Sequence, residues 1–367
     1  MLGIFAIVTT EILPIGLLTS IGATFTISDG LAGLTMTMPG FLAAASAPVV
    51  TVATGRVDRR LMLGAFILLL ALANFLAAVA PSYWLVLVSR VLVGITIGGF
   101  WSIGAGLAGR LVRPELVGRA TAVIFAAVPL GSVLGVPLGT FIGEIAGWRT
   151  AFVAMGILSL GVFVLLIVAI PPLPAEKPIR LQVLTNMLRN VNTRYALVLT
   201  FLIVLAHFGA YTYVTPFLEQ VTHVSAGLIT IYLLAYGAAG VAGNFLGGAT
   251  VVRHPRATFA AAATLMAVAT FLLPVLGTND LGAVVLLVLW GLAYGAVPVC
   301  SQTWFAKTSP SSEASSVLFT ASFQATISLG ALAGGLVLDR TSPATLLTCA
   351  ALTAALVLPF LYRTRES

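Results

Sequence analysis

Twelve apolar stretches, most of them about 20 residues long, run from one end of this chain to the other and constrain its fold more than any motif does. Runs such as 61–80 and 150–170 contain no charged side chain. A helix of about 20 apolar residues crosses the ~30 Å hydrocarbon core of a bilayer, and in lipid only helices or closed barrels satisfy their own backbone. Reading the runs against polar breaks predicts spans at 2–24, 31–53, 61–80, 83–108, 117–143, 150–170, 194–216, 226–250, 257–276, 281–305, 314–338 and 343–361. Composition agrees. Of 367 residues only 8% are charged, against about 25% in a soluble domain, and the mean hydropathy is +1.10. The expected class is an all-α membrane protein with lipid as the solvent of most of the chain. No charged lead precedes the first span, so a cleavable signal peptide is not expected.

The net charge of +7 finds its explanation in topology. With both termini on the cytoplasmic side, the cytoplasmic segments hold Arg56, Arg59, Arg60, Arg110, Arg113, Arg119, Lys177, Arg180, Arg189, Arg194, Arg253, Arg256, Lys307, Arg363 and Arg365. That is 15 of the 18 basic residues. The outer loops hold Arg149 and Arg340, and Arg90 falls inside a span. Basic residues stay on the cytoplasmic side, so a multi-pass plasma-membrane protein with an even number of spans follows, and no nucleic-acid partner is needed. The excess of arginine over lysine points to a GC-rich bacterial genome, which makes the bacterial inner membrane the expected location.

The longest connector, 171–193, opens with Pro171, Pro172, Pro174 and Pro178, which a helix cannot continue through. Leu181, Leu184, Leu188 and Val191 then recur at helical spacing, predicting a short amphipathic helix on the inner membrane surface. The chain thus divides into a six-span bundle (1–170), a cytoplasmic linker (171–193) and a second six-span bundle (194–367). A weak repeat supports the division. Gly55-Arg56-Val57-Asp58-Arg59-Arg60 follows the second span, and Gly247-Gly248 with Arg253-His254-Pro255-Arg256 follows the eighth. Two similar halves enclosing a site are a common transporter plan.

Ionisable groups inside a span are costly and mark function. Glu11 lies roughly 13 Å into the first span and Arg90 roughly 10 Å into the fourth from the opposite side. Their depths are close enough for the arginine stem to bridge, making the two candidate proton-coupling residues. A permanently paired structural glutamate and a snorkelling arginine are the other readings. Gly131, Gly135, Gly139 and Gly143 recur every fourth residue on the fifth span around Pro137, a pattern for close helix packing with a weak point for bending. His207 and Tyr211 on the seventh span, with Trp101, Asn244, Gln302 and Gln324, supply polar and aromatic groups for a substrate cavity. Trp290, Trp304 and Tyr213 belong to the same supply. Cys300 and Cys349 lie far apart in apolar runs, and no metal-ligand spacing is visible. The absence of a phosphate loop, an HExxH motif and a Gly-x-Ser-x-Gly elbow speaks against ATP use of that kind and against a hydrolase. No cofactor is expected.

Over essentially its whole length the chain resembles the major facilitator superfamily, in its drug:proton antiporter-1 group. The segment Gly55 to Arg60 is similar to the signature loop between the second and third helices, one residue short between glycine and aspartate and without the later glycine. Ser89-Arg90-Val91-Leu92-Val93-Gly94 matches the fourth-helix motif. Gly131 to Gly139 is similar to the fifth-helix antiporter signature, with its proline shifted by one. Thr10-Glu11-Ile12-Leu13-Pro14 through Leu18, Gly98-Gly99-Phe100-Trp101, Gly147-Trp148-Arg149 and Tyr211 to Pro216 resemble the branch of sugar, purine-nucleoside and chloramphenicol exporters.

The resemblance implies the two-bundle major facilitator fold of twelve helices, with Asp58, Arg59, Arg60 and Gly55 gating the inner face and locking an outward-open state. It implies Arg90 in proton coupling, and export of a drug, nucleoside or sugar-like molecule in exchange for protons by a monomer. An importer of a small metabolite is the alternative of the same fold. A membrane enzyme or a non-transporting sensor would be the alternatives of other classes.

Overall fold

The computed structural model describes residues 1–53, 57–104, 111–113, 124, 127–174, 186–251, 253–308 and 312–363. Among them eleven helices are long and apolar enough to cross a membrane, and Val133–Ala146 is a shorter apolar one. In chain order the helices are α1 (Leu2–Phe25), α2 (Asp29–Val50), α3 (Arg59–Ala78) and α4 (Tyr83–Ile103). They continue with α5 (Ala127–Ala146 as described), α6 (Trp148–Ala169), α7 (Val191–Tyr211) and α8 (Ala226–Val251). The last four are α9 (Pro255–Leu276), α10 (Asp280–Thr308), α11 (Ser312–Arg340) and α12 (Pro343–Ala355), the last continued by Val357–Arg363.

Local chemistry sets the ends of these helices. The side chains of Ser28, Asp58, Asn190 and Ser342 each accept hydrogen bonds from backbone N–H groups in the turn that follows, satisfying donors that a helix start leaves open. Pro255 and Pro343 occupy first-turn positions, where the missing N–H costs nothing. Between α5 and α6 a single residue, Gly147, turns the chain at φ 84°, a left-handed conformation that glycine adopts without a Cβ clash. Helices also break internally, at Gly33 in α2, at Leu356 in α12 and at two places nearer the site. In α1 the α-helix stops at Ile12 and Leu13–Leu17 forms a 3-10 turn around Pro14. After α7 the helix is interrupted at Thr212 and Tyr213, a turn before Pro216, and resumes as Val214–Gln220.

Three predicted boundaries change for these reasons. The seventh span, expected at 194–216, starts at Val191 because Asn190 caps it. Val191 therefore opens α7 and is not the last turn of a connector helix. Of that connector helix the described part is a turn at 186–189, residues 175–185 lying outside the described residues. The fifth helix runs three residues past the expected 143, as far as Gly147 allows.

The helix contacts repeat with a shift of six. In the first half α2 packs on α4, α3 on α4 and α6, and α1 on α5; in the second α8 packs on α10, α9 on α10 and α12, and α7 on α11. The two bundles meet where α2 lies along α11 and α5 along α8, again a pair related by the same shift. One apolar core belongs to the first bundle. The other belongs to the second and takes in Ile15, Met36 and Val136 from the first. The site lies between the two cores.

Candidate functional site

Glu11 is 8% exposed on the last turn of the α-helix before the Pro14 break, and Arg90 is fully buried on α4. The guanidinium reaches α1, where Nη1 donates to the Thr10 carbonyl at 3.1 Å, and its Nε faces Ser89 Oγ at 3.5 Å. Its Cζ stands 4.9 Å over the Phe152 ring of α6, and Nη2 is buried with no partner. Asn74 on α3 donates to the Thr10 hydroxyl at 3.2 Å and to the Leu70 carbonyl at 3.0 Å, while its Oδ1 has no partner. Across the bundle interface, the Gln324 amide of α11 lies within hydrogen-bonding reach of the Glu11 carboxyl. The Tyr294 phenol of α10 lies near Glu11.

Beside this polar centre stands a stack of rings from α7, α8 and α10. His207 is stacked on Tyr294 (centroids 3.3 Å, planes 4° apart) and on Tyr211 (5.1 Å, 21°). Tyr211 in turn stacks on Tyr236 at 4.4 Å. Trp290 closes the edge, its Nε1 donating to His207 Nδ1 at 3.1 Å. An accepting Nδ1 puts the ring's single proton on Nε2, which faces the Tyr236 hydroxyl at 3.4 Å. His207 therefore has both faces and both nitrogens occupied inside the second bundle. Tyr294 Oη, by contrast, is buried without a partner. An unsatisfied buried polar atom costs about 1–3 kcal/mol, so Arg90 Nη2, Asn74 Oδ1, Tyr294 Oη and Gln324 Oε1 are four open valences gathered around one mid-depth region.

The structure thus brings Glu11, Arg90, His207, Tyr211 and Gln324 together and adds Tyr236 and Tyr294, which sequence reasoning missed. It leaves others apart. Half-buried Asn244 and exposed Gln302 lie two turns, about 12 Å, from Tyr236 and Tyr294 along their helices. Trp101 is partly buried against the first bundle's core. The glycine ladder faces α1: a Cβ at Gly131, Gly135, Gly139 or Gly143 would meet Val8, Ile12, Leu13 or Leu17, all four at 3.0 Å or less and all within the first bundle. Pro137 sits inside the helix that carries them.

The residues expected to gate the inner face make these contacts near the end of the first bundle. Asp58 Oδ1 accepts from the Arg60 and Leu61 amides at 2.8 and 3.4 Å. Arg60 Nη2 donates to the Ile167 carbonyl of α6, and the Arg59 amide to the Leu173 carbonyl at 2.8 Å. Gly55 lies outside the described residues.

At the end opposite the chain termini, here the far end, hydrogen bonds cross from bundle to bundle. Asp339 at the end of α11 accepts from Ser28 Oγ (2.6 Å) and the Gly30 amide (3.0 Å) at the start of α2. Gln220 donates to Asp29 (3.1 Å) and Thr19 to Glu219 (3.2 Å). Deeper, Thr215 donates to the Ile15 carbonyl (3.1 Å) and Ser328 to the Thr37 carbonyl (2.6 Å). These bonds tie the two bundles together at the far end. Nothing in the sequence paired Ser28 with Asp339, 311 residues away.

Two repeated helical bundles enclosing a buried, polar and aromatic centre define a membrane transporter of small molecules, not an enzyme. The Major Facilitator Superfamily profile matches residues 1–322, and the chain belongs to that family. It is 32% identical over 356 residues to the purine ribonucleoside efflux pump NepI of Escherichia coli K12, covering 96% of this chain and 90% of that one. It is 34% identical over 342 residues to the transcription regulatory protein OpdE of Pseudomonas aeruginosa, covering 92% and 85%. Among solved structures, a bacterial homologue of the human lysosomal transporter Spinster, inward-facing and unoccupied, is similar at a TM-score of 0.74 with 18% identity, covering 100% of this chain and 98% of that one. The human organic anion transporter MFSD10 is similar at 0.71 with 16% identity, each chain covered to 98%.

Proposed function

We propose that this chain is a proton-coupled exporter of a small, flat, polar organic molecule, working by alternating access in the bacterial inner membrane. Glu11 carries the coupled proton, and the ring system of Tyr294, Tyr211, Tyr236 and Trp290 receives the solute. The observation that carries the reading is the placement of a buried carboxyl where both bundles contribute to its surroundings. A carboxyl there binds a proton or faces a partner group, and either event favours one arrangement of the bundles over the other. Arg90, with one open N–H, stabilises the ionised state through the α1 backbone beside it. The aromatic faces suit a ring-bearing solute, and the likeness to purine ribonucleoside efflux pumps makes purine nucleosides the first candidates. The basic asymmetry supports cytoplasmic termini, with 171–193 as the linker between bundles and the monomer as the working unit. With the far end facing outward, the hydrogen-bonded seam described above corresponds to an inward-facing or occluded state.

The test is solute-induced proton release from purified protein in weakly buffered detergent, wild type beside Glu11→Gln, with purine nucleosides, pentoses and a phenicol antibiotic as the panel. Exchange predicts release from the wild type and none from the variant. Equal release from both proteins would remove Glu11 from the coupling role. A regulatory protein that moves no solute would release none and would accumulate none in proteoliposomes.

A further inference from the structure

We propose that Gln324 is the residue through which the protonation state of Glu11 selects the solute, so that the transporter prefers a neutral solute presenting an N–H or O–H donor. The inference rests on the exporter reading above and specifies the chemistry of its site. Gln324 is 7% exposed on α11 and faces Glu11 of α1 across the bundle interface. Its position there is fixed. At Gly40 α2 presses against the Gln324 backbone so closely that a Cβ would stand 2.5 Å from the Gln324 carbonyl oxygen. One turn on, Ser328 is hydrogen-bonded to the Thr37 carbonyl at 2.6 Å. The amide lies within reach of the Glu11 carboxyl, and its Oε1 is buried with no partner.

An amide has a donating end and an accepting end, whereas a carboxylate only accepts. When Glu11 is ionised it takes the NH2 of Gln324, and the amide oxygen is turned outward as an acceptor. When Glu11 is protonated its O–H is satisfied best by the amide oxygen, and the NH2 turns outward instead. A buried amide settles its orientation by such networks. The polarity shown to the solute therefore reverses with one proton. A solute that donates to the amide binds the ionised form more tightly, and by linkage its binding expels the proton, which is the sign an exchanger needs. A solute with only acceptors there would take up a proton.

Other charged or titratable groups do not supply this reversal. Arg90 of α4 is held on the Thr10 carbonyl. Tyr294 of α10 offers a hydroxyl that can turn either way. His207 and Tyr211 of α7 lie in the ring stack beyond Tyr294. The described part of α2 that faces Glu11 bears no charge, Arg59 and Arg60 of α3 lie at the termini end, and Glu144 of α5 and Arg149 of α6 lie at the far end.

Inosine and 1-methylinosine, which differ at one ring N–H, provide the test on the full-length wild-type protein, Gln324→Met and Glu11→Gln. The wild type is expected to bind inosine about tenfold more tightly, the worth of one hydrogen bond to a buried polar group. The preference should shrink as the medium is acidified, and only inosine should release a proton. Gln324→Met should bind both compounds alike, within about twofold, at every pH. If Gln324→Met does not fold, as judged by its melting curve, Gln324→Asn withdraws the amide from Glu11 while keeping its chemistry, and the same loss of preference is expected. Retained preference in a folded Gln324 variant overturns the inference while leaving Glu11 exchange intact. So does release of as many protons by bound 1-methylinosine as by bound inosine. Loss of proton release from the wild type with every compound of the panel overturns the exporter reading itself.

Discussion

His207 and Glu11 both looked like site residues in the sequence, and for the same reason: a polar side chain inside an apolar run has to be accounted for. Their surroundings separate them. Glu11 faces the bundle interface, whereas His207 is used up, with Trp290 on one nitrogen, Tyr236 on the other and a ring on each face. It acts by positioning the rings. Trp290→Phe would leave His207 Nδ1 buried without its donor, so thermal unfolding in detergent is expected to show a loss of about 1–3 kcal/mol. A histidine free to reorient toward the solute would tolerate the change. Tyr236 and Tyr294 escaped notice because a tyrosine in a span is ordinary. Only the register of α8 against α10 turns these two inward, and register is a property of packed helices, not of one stretch of sequence.

Among the elements, α1 and α5 pair closely beside the site. The ladder from Gly131 to Gly143 was legible from its spacing, and the spacing implied a close partner. That the partner is α1, the helix bearing Glu11, was not legible, because every span offers an apolar face of similar character. The pairing ties the position of Glu11 to the smallness of α5. In Gly135→Val the added carbons would press on Ile12 and on the Thr9 Cα. Overpacking of this kind costs about 1–3 kcal/mol. Thermal unfolding should show the loss, and Ile12→Ala in the same chain should recover part of it, a coupling expected of residues in contact. Additive losses in the double variant would mean that α5 does not set the position of α1. The break after Ile12 was not legible in the sequence, where 2–24 reads as one span; the 3-10 turn around Pro14 depends on the helices packed there.

At the scale of the whole molecule the two bundles are held at the far end by Asp339, Asp29 and Glu219 with their neutral donors. The sequence displayed twelve spans and a six-plus-six division. It could not display a seam whose partners lie about 200 to 311 residues apart. Removing Asp339, which takes two of these bonds, should shift the population toward far-end opening. In a Cys300→Ser, Cys349→Ser background carrying Met36→Cys, a membrane-impermeant thiol reagent added outside is expected to label the Asp339→Ala variant several-fold faster. Equal rates would mean that the seam does not hold the closed state.

Acidity should act in the same direction as the seam. Burial holds the Glu219 carboxyl above the usual range, against the lowering effect of Thr19, and the nearby Asp29 adds to the rise. A group raised in the closed state and ordinary in the open, hydrated one stabilises closure fully when protonated. That contribution fades as pH climbs through the raised value. Outside labelling should therefore be slower in a mildly acidic medium than in a mildly alkaline one, and Glu219→Gln should flatten the difference.

Each of the three seam carboxylates meets a hydroxyl, an amide or a backbone N–H at 2.6–3.2 Å. Dissolved salt weakens attraction between opposite charges over a Debye length of about 8 Å at physiological strength and about 3 Å in molar salt. Contacts between a charge and a neutral dipole at bonding distance offer it little to screen. What salt does screen is the repulsion among the carboxylates themselves, Asp29 against Asp339 and against Glu219, so a cell carrying this protein from dilute water into brine would shift the balance slightly toward shut transporters.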